Sequence, residues 1–121
     1  MNFKYPRQAH LKSKKTIDLL FAEGKHINSF PLRMSYLPLD KLKNHQVGIA
    51  VSKRNFKNAV DRNRIKRQLR ETYRLNQHLL DPKSGTKFAL LFMYIAKEEL
   101  NYEQIDKAMI KLLKGNHYEV T

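Results

Sequence analysis

The sequence predicts a small α+β domain with the order helix, two or more strands, helix, strand, helix. Three observations carry that prediction. Apolar residues recur at helical spacing in three segments, three others alternate or run continuously apolar as strands do, and Gly, Pro, Asn and Asp cluster at the boundaries. The 121 residues fit one domain, 1–121, and leave no room for two well-buried cores. A hydrophobic content of 41% with 10% aromatics supports a packed interior rather than disorder.

Residues 1–12 read as an irregular basic arm, with Lys4, Arg7 and Lys12 and no acid before Asp18. Ser13 is a plausible N-cap for a helix over Lys14–Glu23, which sets Ile17, Leu20 and Phe21 on one face and stops at Gly24. Phe30–Leu37 alternates, with Leu32, Met34 and Tyr36 to one side and Arg33 and Ser35 to the other; Pro31 is tolerable at a strand start or edge. Asp40–His45 is turn-like, and Gln46–Ser52 reads as a second strand, expected to form an antiparallel hairpin with the first. Lys53–Asn58 leads into a long helix from about Ala59 to about His78, closed by Asp81-Pro82-Lys83-Ser84-Gly85. Lys87–Ala96 is apolar at nearly every position, which suits a strand covered on both faces, although a buried helix shares that composition. Asn101 caps a last helix, Tyr102–Lys114, with Ile105, Met109 and Leu112 inward and Gly115 as its stop; 116–121 is a short tail. No internal repeat, low-complexity tract or long linker interrupts this order.

Charge narrows the function. Twenty-four Lys and Arg against 11 Asp and Glu give a formal net charge of +13, a self-repulsion that an anionic partner would relieve. Nucleic acid is the leading partner, since each phosphate neutralised releases condensed counterions. A membrane is the rival, yet no apolar run is long enough to span one, and the basic N-terminus lacks the apolar stretch of a secretory signal. With no cysteine, disulfides, thiolate metal sites and cysteine nucleophiles are excluded, in keeping with a cytoplasmic setting.

The charge concentrates between Lys53 and Arg74, where nine cations and two acids, Asp61 and Glu71, contribute +7. At about 100° per residue, Arg62, Asn63, Lys66, Arg67, Arg70 and Arg74 fall within an arc of about 140°, with Ile65, Leu69, Thr72 and Tyr73 mainly opposite. One face is built for the core and the other is a stripe of fixed cations. Arg suits phosphate and base recognition through its planar fork, and Asn63 supplies directed hydrogen bonds where another cation would add bulk charge. A merely solvated face would carry balancing acids at helical spacing, and here they are nearly missing.

Lys57, Ala59-Val60, Arg62-Asn63-Arg64, Ile65-Lys66-Arg67 and Arg70-Glu71 resemble the signature of the bacterial ribonuclease P protein family. Val47-Gly48-Ile49-Ala50-Val51-Ser52-Lys53-Arg54 is similar to the strand that leads into it, and Leu20-Phe21-Ala22-Glu23-Gly24 to the end of the family's first helix. The match is dense from Val47 to Glu71, extends from about Lys14 onward, and weakens in the last fifteen residues. The resemblance implies a small α/β sandwich of the ribosomal protein S5 domain 2-like type, ordered α-β-β-(β)-α-β-α, with a left-handed βαβ crossover that general chain rules would not predict. It further implies a non-catalytic subunit of an endoribonuclease whose RNA subunit removes the 5′ leader of precursor tRNA. The protein would bind no cofactor, while the RNA would need Mg²⁺. Partners would be the ribonuclease P RNA and precursor tRNA, with no DNA and no membrane. Carried over by position, Lys53, Arg54, Lys57, Arg62, Asn63, Lys66, Arg67 and Arg70 would face the catalytic RNA. The leader would lie between the first helix and the sheet, with Phe21 and Tyr36 as stacking surfaces; packing in the core is the alternative role for both rings. Ile17 stands where the family often has an aromatic residue.

No catalytic or metal-binding residue is predicted. The histidines His10, His26, His45, His78 and His117 make no i,i+3 or i,i+4 pair, Glu98-Glu99 reads as a polar loop, and no phosphate loop or nucleophile elbow occurs. Two other classes compete: a different RNA-binding protein, for example a ribosomal one, which only the ordered signature separates, and a DNA-binding module, which lacks a helix-turn-helix pair before the basic helix.

Overall fold

A computed structural model describes residues 11, 14–39, 45–80 and 87–114. In chain order it contains α1 (Lys14–Glu23), β1 (Lys25–Ser29), β2 (Leu32–Pro38), β3 (Gln46–Val51), α2 (Ala59–Asn76, extended by a 3₁₀ turn at Gln77–Leu79), β4 (Phe88–Tyr94) and α3 (Tyr102–Lys114). The N-terminal arm (apart from Leu11), Ser13, the Asp40–Asn44 stretch, the Asp81–Gly85 turn, the Gly115 stop and the tail lie outside the described residues.

Local chemistry fixes the ends of these elements. Asn58 has extended backbone angles and its Oδ1 accepts from Val60 N at 3.0 Å, which caps α2. At α3, Gln104 N donates to Asn101 Oδ1 (2.9 Å) and Asn101 N reaches back to Gln104 Oε1 (3.4 Å), a reciprocal capping box. Gly24 N donates to Leu20 O at 2.9 Å to close α1, and a Cβ at position 24 would stand 2.3 Å from that same carbonyl. Only glycine fits there.

The four strands form one mixed sheet in the order β1-β2-β4-β3. β1 and β2 are antiparallel around the two-residue turn Phe30-Pro31, with Ser29 opposite Leu32. β2 and β4 are antiparallel, whereas β3 runs parallel to β4 and connects to it through α2. The expected hairpin between Phe30–Leu37 and Gln46–Ser52 is therefore incorrect. β4 is inserted between those two strands. The physical reason is its composition: Phe88-Ala89-Leu90-Leu91-Phe92-Met93-Tyr94 has apolar side chains on both faces and is best buried with a strand on either side. The hairpin that does form uses β1, a third strand that the expected order allowed for but that no residue pattern located.

The pleat divides the interior in two. Leu32, Met34, Tyr36, Val47, Val51, Phe88, Leu90, Phe92 and Tyr94 point to one side, where they meet Ile65, Leu69 and Tyr73 of α2 and Ile105, Met109 and Leu112 of α3. Ala89 and Leu91 point to the other, against Leu11 and Leu20, with Ile17, Leu37, Ala50 and Met93 around them. Leu11 N donates to Val47 O at 3.0 Å, which ties that residue to β3. Polar groups lock α2 to α3. Buried Thr72 donates to Asp106 Oδ1 at 2.5 Å, and Asn76 Nδ2 donates to Asp106 Oδ1 (2.9 Å) and to Thr72 O (2.8 Å).

Candidate nucleic-acid interface

The core anchors α2 through Ile65, Leu69, Thr72 and Tyr73, the four residues of that helix that are buried. Its other side is thereby held outward. Asn63, Arg67 and Arg70 are exposed and Lys66 is half-buried; Lys53, Arg54 and Lys57 are exposed on the preceding loop. Among the described residues, none of Lys53, Arg54, Lys57, Lys66, Arg67 and Arg70 has a carboxylate within 4.0 Å.

The acids near this surface are occupied elsewhere. Arg64, outside the stripe, holds Glu99 in a forked contact (Nε to Oε1 2.6 Å, Nη2 to Oε2 3.0 Å) and also Asp61 at 2.7 Å. The Arg64 hydrogen bond keeps the Glu99 carboxyl below its ordinary pKa, against a smaller opposing effect of burial. Arg74 engages Glu71 at 2.6 Å and depresses that carboxyl in the same way. Arg74, counted in the stripe from sequence, is thus paired with an acid. The Arg64–Glu99 contact left no local mark in the sequence, because its partners are distant in the chain.

Arg62 has a further occupation. Its Nη1 donates to Phe56 O (2.7 Å) and Lys57 O (2.9 Å), so the guanidinium is tucked under the loop that presents Lys53, Arg54 and Lys57. Arg54 N also donates to Ser52 Oγ at 3.1 Å, which steadies the start of that loop.

On the opposite face of the sheet, the two rings proposed from sequence part company. Phe21 is 51% exposed on α1. Tyr36 is 4% exposed, faces α2 and α3, and packs edge-on to Phe88 with ring centroids 6.0 Å apart. Assigning Tyr36 as a stacking surface is therefore incorrect. Its ring is a core group, and burial raises its phenol pKa. The β2 residues on the α1 side are Arg33, Ser35 and Leu37, one step out of phase with Tyr36. Ser35 Oγ lies in a hydrogen bond 2.6 Å from His26 Nδ1. At the far end of β3 and β4, Ala50, Ser52, Asn55, Met93 and Ile95 help line a groove of about 420 Å³. Sequence reasoning did not find this groove, because it joins residues from two strands whose pairing was not foreseen.

Among the described residues no three His, Asp or Glu side chains converge as a metal site, and no helix is long and apolar enough to cross a membrane.

Fold and surface define a class: a small basic α+β protein whose mixed sheet lies between helices and whose crossover helix carries a cationic face, with Lys66, Arg67 and Arg70 unpaired with any carboxylate among the described residues. The family model described as Ribonuclease P matches residues 5–116. The chain is 33% identical over 119 residues to a ribonuclease P protein component of Porphyromonas gingivalis W83, covering 92% of this chain and 85% of that one. It is 36% identical over 107 residues to the component from Streptococcus agalactiae NEM316, covering 86% and 90%. The solved ribonuclease P proteins of Staphylococcus aureus (21% identity, 88% of this chain and 93% of that one) and Thermotoga maritima (22%, 87% and 94%) share the fold, each with a TM-score of 0.73. The chain belongs to the ribonuclease P protein family, the protein components of a tRNA-processing endoribonuclease.

Proposed function

We propose that this chain docks on the ribonuclease P RNA through the outer face of α2 and its leading loop, and on the 5′ leader of precursor tRNA through the α1 side of the sheet. One observation carries this reading: six cations, Lys53, Arg54, Lys57, Lys66, Arg67 and Arg70, flank Asn63 with no carboxylate within 4.0 Å among the described residues, on a helix whose other face is fixed in the core. Phosphates are the natural counter-charge for such a surface, and rigid arginine forks bind them with little ordering cost. Arg62 serves the surface from beneath by holding its loop. For the leader, exposed Phe21 offers a stacking ring, and the Ala50–Met93 groove offers a largely apolar trough.

In this reading the protein acts in the cytoplasm, binds no cofactor of its own, and has neither DNA nor membrane as a partner. The RNA subunit performs the cleavage and requires Mg²⁺; the protein supplies positive charge that otherwise must come from the ion atmosphere. Reconstitution is the test. The protein alone leaves precursor tRNA intact, and added to a bacterial ribonuclease P RNA it stimulates cleavage at low Mg²⁺. Intrinsic cleavage by the purified protein, or no stimulation of any such RNA, overturns the proposal. Phe21→Ala lowers affinity for precursor tRNA more than for mature tRNA; an equal loss for both points to damaged packing instead.

A further inference from the structure

A second surface, apart from the α2 face, combines an open ring with a row of lysines. Phe30, at the tip of the β1–β2 turn, is 68% exposed, more than any other large hydrophobic side chain among the described residues. Its backbone is firmly held: Ser29 pairs with Leu32, Pro31 is buried, and Ile95 N donates to Pro31 O at 2.9 Å. Beside the ring, Ser29, Pro31, Leu100, Gln104, Lys107 and Lys111 help line a groove of about 240 Å³. Lys107, Lys111 and Lys114 follow one another at i, i+4 and i+7 and so form one stripe along the outside of α3.

Among the described residues none of these lysines has a carboxylate within 4.0 Å. Asp106, next to Lys107 in sequence, is turned inward to Thr72 and Asn76. A ring held in the open beside unneutralised cations is the pairing that single-stranded nucleic acid recognises, a base stacking on the ring and phosphates meeting the charges. A second copy of this chain fits poorly. Across a two-fold contact each lysine stripe would meet its like, between molecules that each carry a net charge of +13.

We propose that the Phe30–α3 groove is a binding site for single-stranded nucleic acid, with one unstacked base on Phe30 and the flanking phosphates at Lys107 and Lys111. These two lysines are separated by about 6 Å along the helix axis, close to the spacing of neighbouring phosphates on an extended strand. The site goes beyond the α2 face and does not depend on the function proposed for it.

The test uses the full chain with Arg67→Ala and Arg70→Ala to reduce competition from α2, and a fluorescein-labelled oligouridylate read by anisotropy across a salt series. Phe30→Ala is expected to lower affinity roughly ten-fold with an unchanged salt slope, and Phe30→Tyr to restore it. Lys107→Gln with Lys111→Gln is expected to reduce the slope of log affinity against log salt by about 1.4, about 0.7 for each lost phosphate contact. Oligothymidylate in place of oligouridylate distinguishes the two sugars, and binding of either, sensitive to Phe30, supports the site. The proposal is overturned if both variants bind with the parent's affinity and slope, or if Phe30→Ala weakens duplex RNA as much as single strand. It is also overturned if Phe30→Ala changes only the sedimentation behaviour, which would make the ring a protein contact. Loss of oligonucleotide binding in the Phe30 and Lys variants, alongside full-strength binding of the ribonuclease P RNA by the Arg67→Ala, Arg70→Ala chain, would uphold this site and refute the α2 reading alone.

Discussion

Arg62 and Arg67 lie on the same helix, yet their guanidinium groups have different neighbours. Arg62 donates to the carbonyls of Phe56 and Lys57, whereas Arg67 is exposed with no carboxylate near it among the described residues. Arg67→Ala or Arg70→Ala should weaken binding of the ribonuclease P RNA by about 1–3 kcal/mol while leaving the urea midpoint unchanged. Arg62→Gln should lower affinity and also shift the urea midpoint, by about 1 kcal/mol of stability, because it frees the loop. Filter binding at fixed salt beside urea unfolding separates the two behaviours. Glu99 gives a pH test. Its carboxyl pKa is lowered in the folded state by Arg64, so the stabilisation it brings is present above its ordinary value of 4.5 and disappears as pH falls through the lowered one. Glu99→Gln should therefore be less stable than the parent at neutral pH, with the difference closing in acid; a difference independent of pH would refute this. The cationic stripe was legible in the sequence because helical periodicity separates Ile65 and Leu69 from Lys66, Arg67 and Arg70 without reference to anything distant. Tyr36 was not, since a strand reverses face at every residue and nothing local says which face meets α1.

The helices were legible at the level of elements, and the strand pairing was not. α2 and α3 begin where Asn58 and Asn101 cap them, and α3 buries Ile105, Met109 and Leu112 as its apolar spacing requires. β1 escaped notice because Lys-His-Ile-Asn-Ser has one apolar residue, as an edge strand can. Proximity in sequence favours a β2–β3 hairpin, but proximity says nothing of a strand arriving later with two faces to bury. The joint between α2 and α3 offers a prediction of its own. Thr72→Val keeps the shape of a buried side chain and removes its hydrogen bond to Asp106, leaving that carboxylate short of a donor. It should cost about 1–3 kcal/mol in urea unfolding while leaving the outward cations of α2 in place. A variant as stable as the parent would mean that apolar contact, not the polar joint, holds the two helices together.

Taken whole, the molecule holds a net charge of +13 on a small frame, with much of it on α2 and its loop. Like charges at that density oppose compaction, so the free protein should gain thermal stability as sulfate is added, and more than a Lys66→Gln, Arg70→Gln variant does. Equal gains would assign the effect to general salting-out. The position of β4 matters in another way, in time rather than space. β3 has β4 as its neighbour in the sheet, and α2 rests part of its apolar seam on β4, Tyr73 against Phe92. During synthesis the strand and the basic helix both leave the ribosome before the segment that pairs with one and covers the other. The cationic helix is thus made before its seat is complete: β3 is there to receive it, but β4 and then α3 emerge only afterwards, and a chain this positive is being born beside ribosomal RNA.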